Sequence, residues 1–145
     1  SSVSGDTTGG GLGRLAKNLK KFKPDFGLIE LGGNDALRGY SIKLIKNNLE
    51  KMIALIKQNN SKVLLMQIRI PPNYGQKYML AFEKIYKDLA LSEEVYLIPF
   101  MLEEIGINSD LMQPDGIHPN KKAQSLIAKD VKKNIDKFLL INQSN

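Results

Sequence analysis

Cysteine is absent from this 145-residue chain, and histidine occurs once, at His118. Zinc, iron–sulfur and haem sites usually need cysteine or histidine ligands, so the sequence predicts none of these centres. Counting does not exclude a magnesium or calcium site built from oxygen ligands, but we expect no metal and no cofactor. The lack of cysteine rules out disulfides without fixing the compartment, because proteins of oxidising compartments can also have none.

Long hydrophobic runs are also absent. No stretch approaches the roughly 18 apolar residues that cross a bilayer, so we expect no integral membrane segment. Residues 1–5 do not have the pattern of a signal peptide. With 42% hydrophobic residues, the chain fits a single globular domain over residues 1–145.

Positive charge is in excess, with a net charge of +6 and a pI of about 9.4. The lysines are spread over the polar faces of helical patterns, and the densest group, between Lys17 and Lys23, is not interleaved with stacking aromatics. Solvated helix surface explains this charge, so we expect no nucleic-acid partner.

Helical patterns alternate with short apolar runs along the chain. The helices are predicted around Leu12–Phe22, Ile42–Ile56, Met79–Leu89 and Ala123–Phe138, and the strands at Phe26–Leu31, Val63–Met66 and Val95–Ile98. Such alternation predicts an α/β fold with a parallel sheet.

Polar motifs follow each predicted strand. Gly32–Asp35 comes after the first, Arg69–Asn73 after the second, and Asp115–His118 in the long connection after the third. Sites in parallel sheets gather where the strands end, so these three segments are expected to lie on one rim.

The glycines near the N-terminus allow a different hypothesis. Gly11–Ala16 matches the dinucleotide-binding pattern G-x-G-x-x-A, and Glu30 lies where a ribose-binding acid would follow. That pattern needs a buried strand running into the first glycine, whereas Ser4–Gly10 is polar. A flexible loop leading into a helix is therefore the prediction for Gly9–Gly11.

Asp115 and His118 have the spacing of an acid–base pair across a glycine turn. A neutral imidazole accepts a proton near pH 7, and a carboxylate behind it fixes its tautomer and steadies the imidazolium. The alternative is that these two residues cap the helix that starts near Asn120.

Gly5 and Asn34 are candidate hydrogen-bond donors for an oxyanion. A glycine backbone N–H can approach a substrate closely, and an asparagine amide can point at the same oxygen. Taken singly, Gly5 fits a turn residue and Asn34 a left-handed or helix-capping residue.

Five ordered blocks of the sequence resemble the SGNH (GDSL) hydrolases, and in particular the bacterial thioesterase I, arylesterase and lysophospholipase branch. The blocks are Ser4–Thr7, Glu30–Asp35, Met66–Pro71, Asn73–Gly75 and Asp115–Asn120. The resemblance implies a flavodoxin-like three-layer α/β/α sandwich with a parallel sheet. It also implies hydrolysis of small carboxylic esters and acyl thioesters, in a periplasmic or secreted location that the sequence itself leaves unknown.

The same resemblance implies a role for each matching residue. His118 is the base and Asp115 the acid of a catalytic triad, and the Gly5 backbone and the Asn34 side chain form the oxyanion hole. Leu37 lies in the loop Ala36–Tyr40, which resembles the substrate loop of the family. Ile70 and Pro71 line the acyl groove. For the loop and groove residues, ordinary surface packing is the alternative.

The chain departs from the family pattern at the nucleophile. The family serine lies in a Gly-Asp-Ser block upstream of the block that matches Ser4–Thr7, and Thr7 is not a substitute because no apolar strand precedes it. We therefore expect an N-terminally truncated domain that lacks its first strands. The strand at Phe26–Leu31 would then be a sheet edge, which predicts a homodimer or a segment swap.

Three hypotheses for function follow. The chain is a fragment of an esterase or thioesterase, or an active short form that uses an N-terminal serine (Ser4 first) or a partner-chain residue. The third is a non-catalytic module that binds acyl chains or oligomerises. Acyl-chain length and the preference between ester and thioester depend on groove geometry and are not predicted.

Overall fold

A computed structural model describes residues 6–100, 109–111 and 120–143 of the chain. The chain divides into two compact units, residues 1–97 and residues 98–145. The elements, in chain order, are helix α1 (Thr8–Phe22), strand β1 (Phe26–Ile29), helix α2 (Gly33–Leu37), helix α3 (Ile42–Gln58), strand β2 (Lys62–Met66), a 3-10 turn (Pro72–Tyr74), helix α4 (Gln76–Ser92), strand β3 (Tyr96–Ile98), a second 3-10 turn (Ser109–Leu111) and helix α5 (Lys121–Gln143).

The described strands form one sheet in the order β1-β2-β3. β1 and β2 are parallel, with a register that runs from Phe26 opposite Lys62 to Ile29 opposite Leu65. Four consecutive residues of β2, from Val63 to Met66, are buried. Such a continuous apolar run is typical of a strand covered on both faces. The predicted α/β fold with a parallel sheet is confirmed.

The core of the first unit lies between the sheet and helices α1, α3 and α4. α3 presents the apolar stripe that its spacing predicts, because its residues at positions 45, 49, 52, 53 and 56 are all buried. Phe82 and Tyr86, one turn apart on α4, pack edge to face with ring centroids 5.4 Å apart. Helices and sheet therefore share one apolar core.

The prediction of a flexible loop at Gly9–Gly11 is wrong, because these glycines form the first turns of α1. Thr7 is the N-cap of this helix, and its hydroxyl accepts a hydrogen bond from the Gly10 N–H at 3.2 Å. Two of these glycines leave space for their neighbours: a methyl group on Gly10 would collide with the Asp6 carboxylate, and one on Gly11 with the Leu31 side chain.

The second unit contains α5 and the 3-10 turn that precedes it. Leu111 and Ala123 are buried together, with Ile127 packed against them. In the ranges that the structure describes, no helix is both long enough and apolar enough to cross a membrane.

Gly32, at the end of the β1 connection, has a backbone conformation that suits only glycine. Its φ is +117°, and a methyl group added there would collide with the hydroxyl of the buried Tyr86. That hydroxyl donates to the Leu31 carbonyl at 2.8 Å. Burial, together with the negative charge of Asp35, raises the pKa of Tyr86, so this hydroxyl stays a donor. The Gly32–Tyr86 contact thus sets the path of the chain from β1 into α2.

Replacing Gly32 by alanine is expected to lower the free energy of unfolding by about 1–3 kcal/mol, because the new methyl group strains the backbone and meets Tyr86. Gly13 is the matched control: it lies within α1, and an added methyl group there meets no atom within 4 Å. Gly13→Ala should raise stability by about 0.5–1 kcal/mol. Urea denaturation followed by circular dichroism measures both, and a Gly32→Ala variant as stable as the parent would contradict this account.

Candidate active site

The first polar motif lies just past the carboxyl end of β1. Gly32–Asp35, expected to be a loop, instead runs into the short helix α2, because Gly32 turns the chain directly into a helical turn. Asn34 is partly exposed and Asp35 is fully buried. The two neighbouring side chains therefore have different surroundings and different partners.

Asn34 points its side-chain amide at the segment before α1. Its Nδ2 donates to the Asp6 carbonyl oxygen at 3.1 Å. The two alternatives for Asn34 are wrong. It lies within α2 and is not among the described residues with positive φ, and the N-cap of α2 is Gly32. Asn34 is thus placed beside the residue that follows Gly5, whereas Gly5 itself lies outside the described residues.

Asp6 is held in place by its own side chain. One carboxylate oxygen accepts from the Thr7 N–H at 2.9 Å, and the other pairs with the Arg14 guanidinium. This ion pair stabilises the start of α1, where a negative charge is favourable. The Asp6 carbonyl that receives the Asn34 amide therefore belongs to an anchored segment.

Asp35 makes the most buried polar contact of this region. Its two carboxylate oxygens accept from the Thr8 N–H at 2.8 Å and from the Thr8 hydroxyl at 2.6 Å. Asn48 of α3 in turn donates to that hydroxyl at 3.0 Å. Sequence reasoning missed this network, because Thr8 and Asp35 are 27 residues apart and no local pattern pairs them.

The residues predicted to contact substrate differ in exposure. Leu37 is 45% exposed, and Pro71 is also exposed, so both are open to a ligand. Ile70 is only 6% exposed and belongs to the hydrophobic core, so it is not the surface residue that the packing alternative expects. A groove role for these three residues stays a prediction.

The loop that resembles the family substrate loop is tied to α4. The Tyr78 hydroxyl donates to the Tyr40 carbonyl at 2.5 Å. Burial and the negative charge of Asp35 raise the pKa of Tyr78, which keeps this donor protonated. The chain after Leu37 is thus anchored at Tyr40.

Asp115 and His118 lie outside the described residues, and their catalytic roles stay predictions. The helix that follows them is capped by another residue. The Asn120 side-chain oxygen accepts from the Lys122 and Ala123 N–H groups at 3.0 and 3.1 Å, and its amide donates to the Asp110 carbonyl at 2.8 Å. Asn120 therefore performs the capping that was the alternative role for Asp115 and His118.

Comparison with known proteins identifies the family of the chain. Residues 1–126 match the model of the GDSL-like lipase/acylhydrolase family. An arylesterase of Vibrio mimicus is 49% identical over 138 residues, which cover 95% of this chain and 69% of that protein. The thioesterase 1/protease 1/lysophospholipase L1 of Escherichia coli K12 is 47% identical over 127 residues, 88% of this chain and 61% of that protein.

A solved structure is similar over most of the fold. The crystal structure of the psychrotrophic esterase EstA from Pseudoalteromonas sp., inhibited by monoethylphosphonate, superposes with a TM-score of 0.92 at 41% identity. The match covers 96% of this chain and 76% of that structure. The matched region thus spans 61% to 76% of the length of these three proteins.

The capping role of Asn120 is open to a direct test. Asn120→Ala should lower the free energy of unfolding by about 1 kcal/mol, because the first turn of α5 loses its side-chain acceptor. The matched control is Lys121→Ala, an exposed residue of the same first turn, which should change it by less than about 0.5 kcal/mol. Thermal or urea unfolding of both variants measures the difference, and an Asn120→Ala variant no less stable than the control would contradict the capping role.

Proposed function

The chain belongs to the GDSL-like lipase/acylhydrolase (SGNH) family, and from that premise we propose that it acts in the hydrolysis of carboxylic esters and acyl thioesters. The names of its relatives support this class: an arylesterase, a thioesterase 1/lysophospholipase L1 and an esterase. The substrate is a small acyl ester or thioester.

The reaction proposed is acyl transfer to a serine and then to water. His118 takes the proton of the serine hydroxyl, Asp115 orients the imidazole, and the serine oxygen attacks the acyl carbonyl. The imidazolium returns its proton to the leaving alcohol or thiol, which leaves an acyl-serine. His118 then deprotonates a water molecule, whose attack releases the carboxylic acid and restores the serine.

The contact between Asn34 and Asp6 is the observation that carries the proposal. A side-chain amide has two N–H groups, and the Asp6 carbonyl accepts from Nδ2 at 3.1 Å. This bond fixes the amide plane and leaves the second N–H to meet the negative oxygen that develops during attack. The Gly5 N–H is the proposed second donor to that oxygen.

The serine is proposed to come from a Gly-Asp-Ser segment, with Ser4 as the second candidate. The acyl-binding module remains the third hypothesis, and it predicts ligand binding without turnover. Neither Ser4 nor a Gly-Asp-Ser segment lies among the described residues. Fluorophosphonate labelling followed by peptide mapping identifies which serine is the nucleophile.

In the chain joined to an upstream Gly-Asp-Ser segment, Asn34→Ala should lower kcat for p-nitrophenyl ester hydrolysis by about 10²- to 10³-fold, as the loss of one oxyanion donor typically does. KM should change little, because the interaction forms in the transition state. The matched control is Asn47→Ala, an exposed asparagine on α3. If Asn34→Ala turned over substrate as fast as the control, Asn34 would not be an oxyanion donor.

We also propose that the edge of β1 pairs with a second copy of the chain. In the described sheet β1 has a neighbouring strand only on the β2 side, and Phe22 and Leu28 beside this edge are 59% and 37% exposed. An open edge of this kind favours pairing with another strand.

A charge placed on that edge should weaken the dimer. Leu28→Lys is expected to raise the dimer dissociation constant by about tenfold or more, because pairing would bury the ammonium group. The control is Leu91→Lys, on a leucine of α4 that is already 81% exposed. Light scattering over a concentration series measures both, and a parent chain that is monomeric throughout would overturn the pairing.

A further inference from the structure

We propose that Asp35 is a positioning residue: its buried carboxylate fastens α2 to the N-terminus of α1 and thereby holds the Asn34 amide in its working orientation. The inference rests on the proposed function, which makes Asn34 the oxyanion donor. Asp35 itself does not touch the substrate, and it acts through its neighbour.

The attachment between Asp35 and Thr8 has two points. One carboxylate oxygen accepts from the Thr8 N–H at 2.8 Å and the other from the Thr8 hydroxyl at 2.6 Å. Both residues are fully buried. Two charge-assisted bonds to a single residue fix orientation as well as distance, so α2 cannot rotate relative to the start of α1 without breaking one of them.

Thr8 is itself fixed from the other side. The Asn48 amide on α3 donates to its hydroxyl at 3.0 Å, so the hydroxyl proton is directed to Asp35. The Thr8 N–H is the first amide of α1, and a carboxylate is favourable at that helix end. The network therefore joins α2, α1 and α3 at a single buried point.

The bond from Asn34 runs between the same two segments. Asn34 donates to the Asp6 carbonyl and Asp35 accepts from Thr8, so residues 34 and 35 are bound to residues 6 and 8 side by side. The Asn34 bond is single, partly exposed and carries no charge. Without the Asp35 attachment, it would be the only hydrogen bond holding the amide in place, and the amide would sample orientations that miss the oxyanion.

Asp35→Asn is a suitable lesion, because it keeps the size of the side chain and changes only its hydrogen bonding. Thr8 presents two donors to position 35, and an asparagine can accept at only one of its two side-chain atoms. The other atom is a nitrogen that carries only N–H groups, so one donor of Thr8 would face another donor. The substitution therefore breaks one of the two attachment points without opening a cavity.

In the same chain carrying the Gly-Asp-Ser segment, Asp35→Asn should lower kcat by about 10- to 100-fold with KM changed less than about threefold, because misplacing a catalytic group costs rate rather than ground-state binding. Thr8→Val, which removes the hydroxyl, should lower kcat by about tenfold, and Thr8→Ser, which keeps it, should restore most of the rate. This second pair tests the same attachment if Asp35→Asn fails to fold.

A double-mutant cycle separates positioning from general destabilisation. Once Asn34 is alanine there is no amide to orient, so adding Asp35→Asn should lower kcat no further. A loss that multiplies in the double variant would overturn the positioning role. The stability control is Ile53→Val, a buried core change on α3, which should leave kcat of the folded enzyme unchanged.

The two proposals fail in different ways. Full activity in Asp35→Asn, with Asn34→Ala impaired, would overturn the positioning role alone. Full activity in Asn34→Ala would overturn the oxyanion assignment in the proposed function, and the positioning role with it.

Discussion

A carboxylate buried at the carboxyl end of β1 needs hydrogen-bond donors, and only the start of α1 supplies them to Asp35 in the described structure. An unpaired charge in that position would cost several kcal/mol. The requirement therefore ties α2 to the start of α1, two segments that are far apart in sequence. The Asn34 amide, which donates to the Asp6 carbonyl, lies directly beside that attachment.

The local backbone is shaped to make the attachment reachable. Gly32, with φ of +117°, lets the chain turn tightly enough over the Tyr86 hydroxyl to enter α2 with Asp35 facing inward. Gly10 and Gly11 leave space at the start of α1, where Thr8 lies, because side chains there would displace Asp6 and Leu31. Glycines on both segments thus allow the approach that the carboxylate then fixes.

The sequence predicts the regular elements well, because their signals are local. The apolar stripe of α3 and the continuous apolar run of β2 each follow from residue spacing, and both match the structure closely. The glycine-rich start of α1 misleads, because glycine usually marks a loop, whereas here the Thr7 cap and close packing select a helix. Ile70 lies in the core, a position that its local motif does not predict.

Only part of the candidate site has a signal in the sequence. Asn34 is a candidate from its place after a strand and from the family blocks, and its role stays a prediction. The contact of its neighbour Asp35 has no such signal, because its partner Thr8 is set by tertiary packing. Asn120, which caps α5, does have a local signal, because an asparagine just before a helical pattern is a typical N-cap. That signal distinguishes Asn120 from the acid–base pair upstream of it. Long-range polar pairs are the part that residue spacing does not encode.

The most direct test is a crystal structure of the protein after reaction with a phosphonate ester, the class of inhibitor found in the similar esterase EstA. The chain would be used both as it stands and with a Gly-Asp-Ser segment joined upstream. The account predicts phosphorus bonded to a serine, with the phosphonyl oxygen within about 3.1 Å of Asn34 Nδ2, the Asp6 bond retained and Asp35 still bound to Thr8. A serine-bound phosphonate with the Asn34 amide turned away from that oxygen would contradict it.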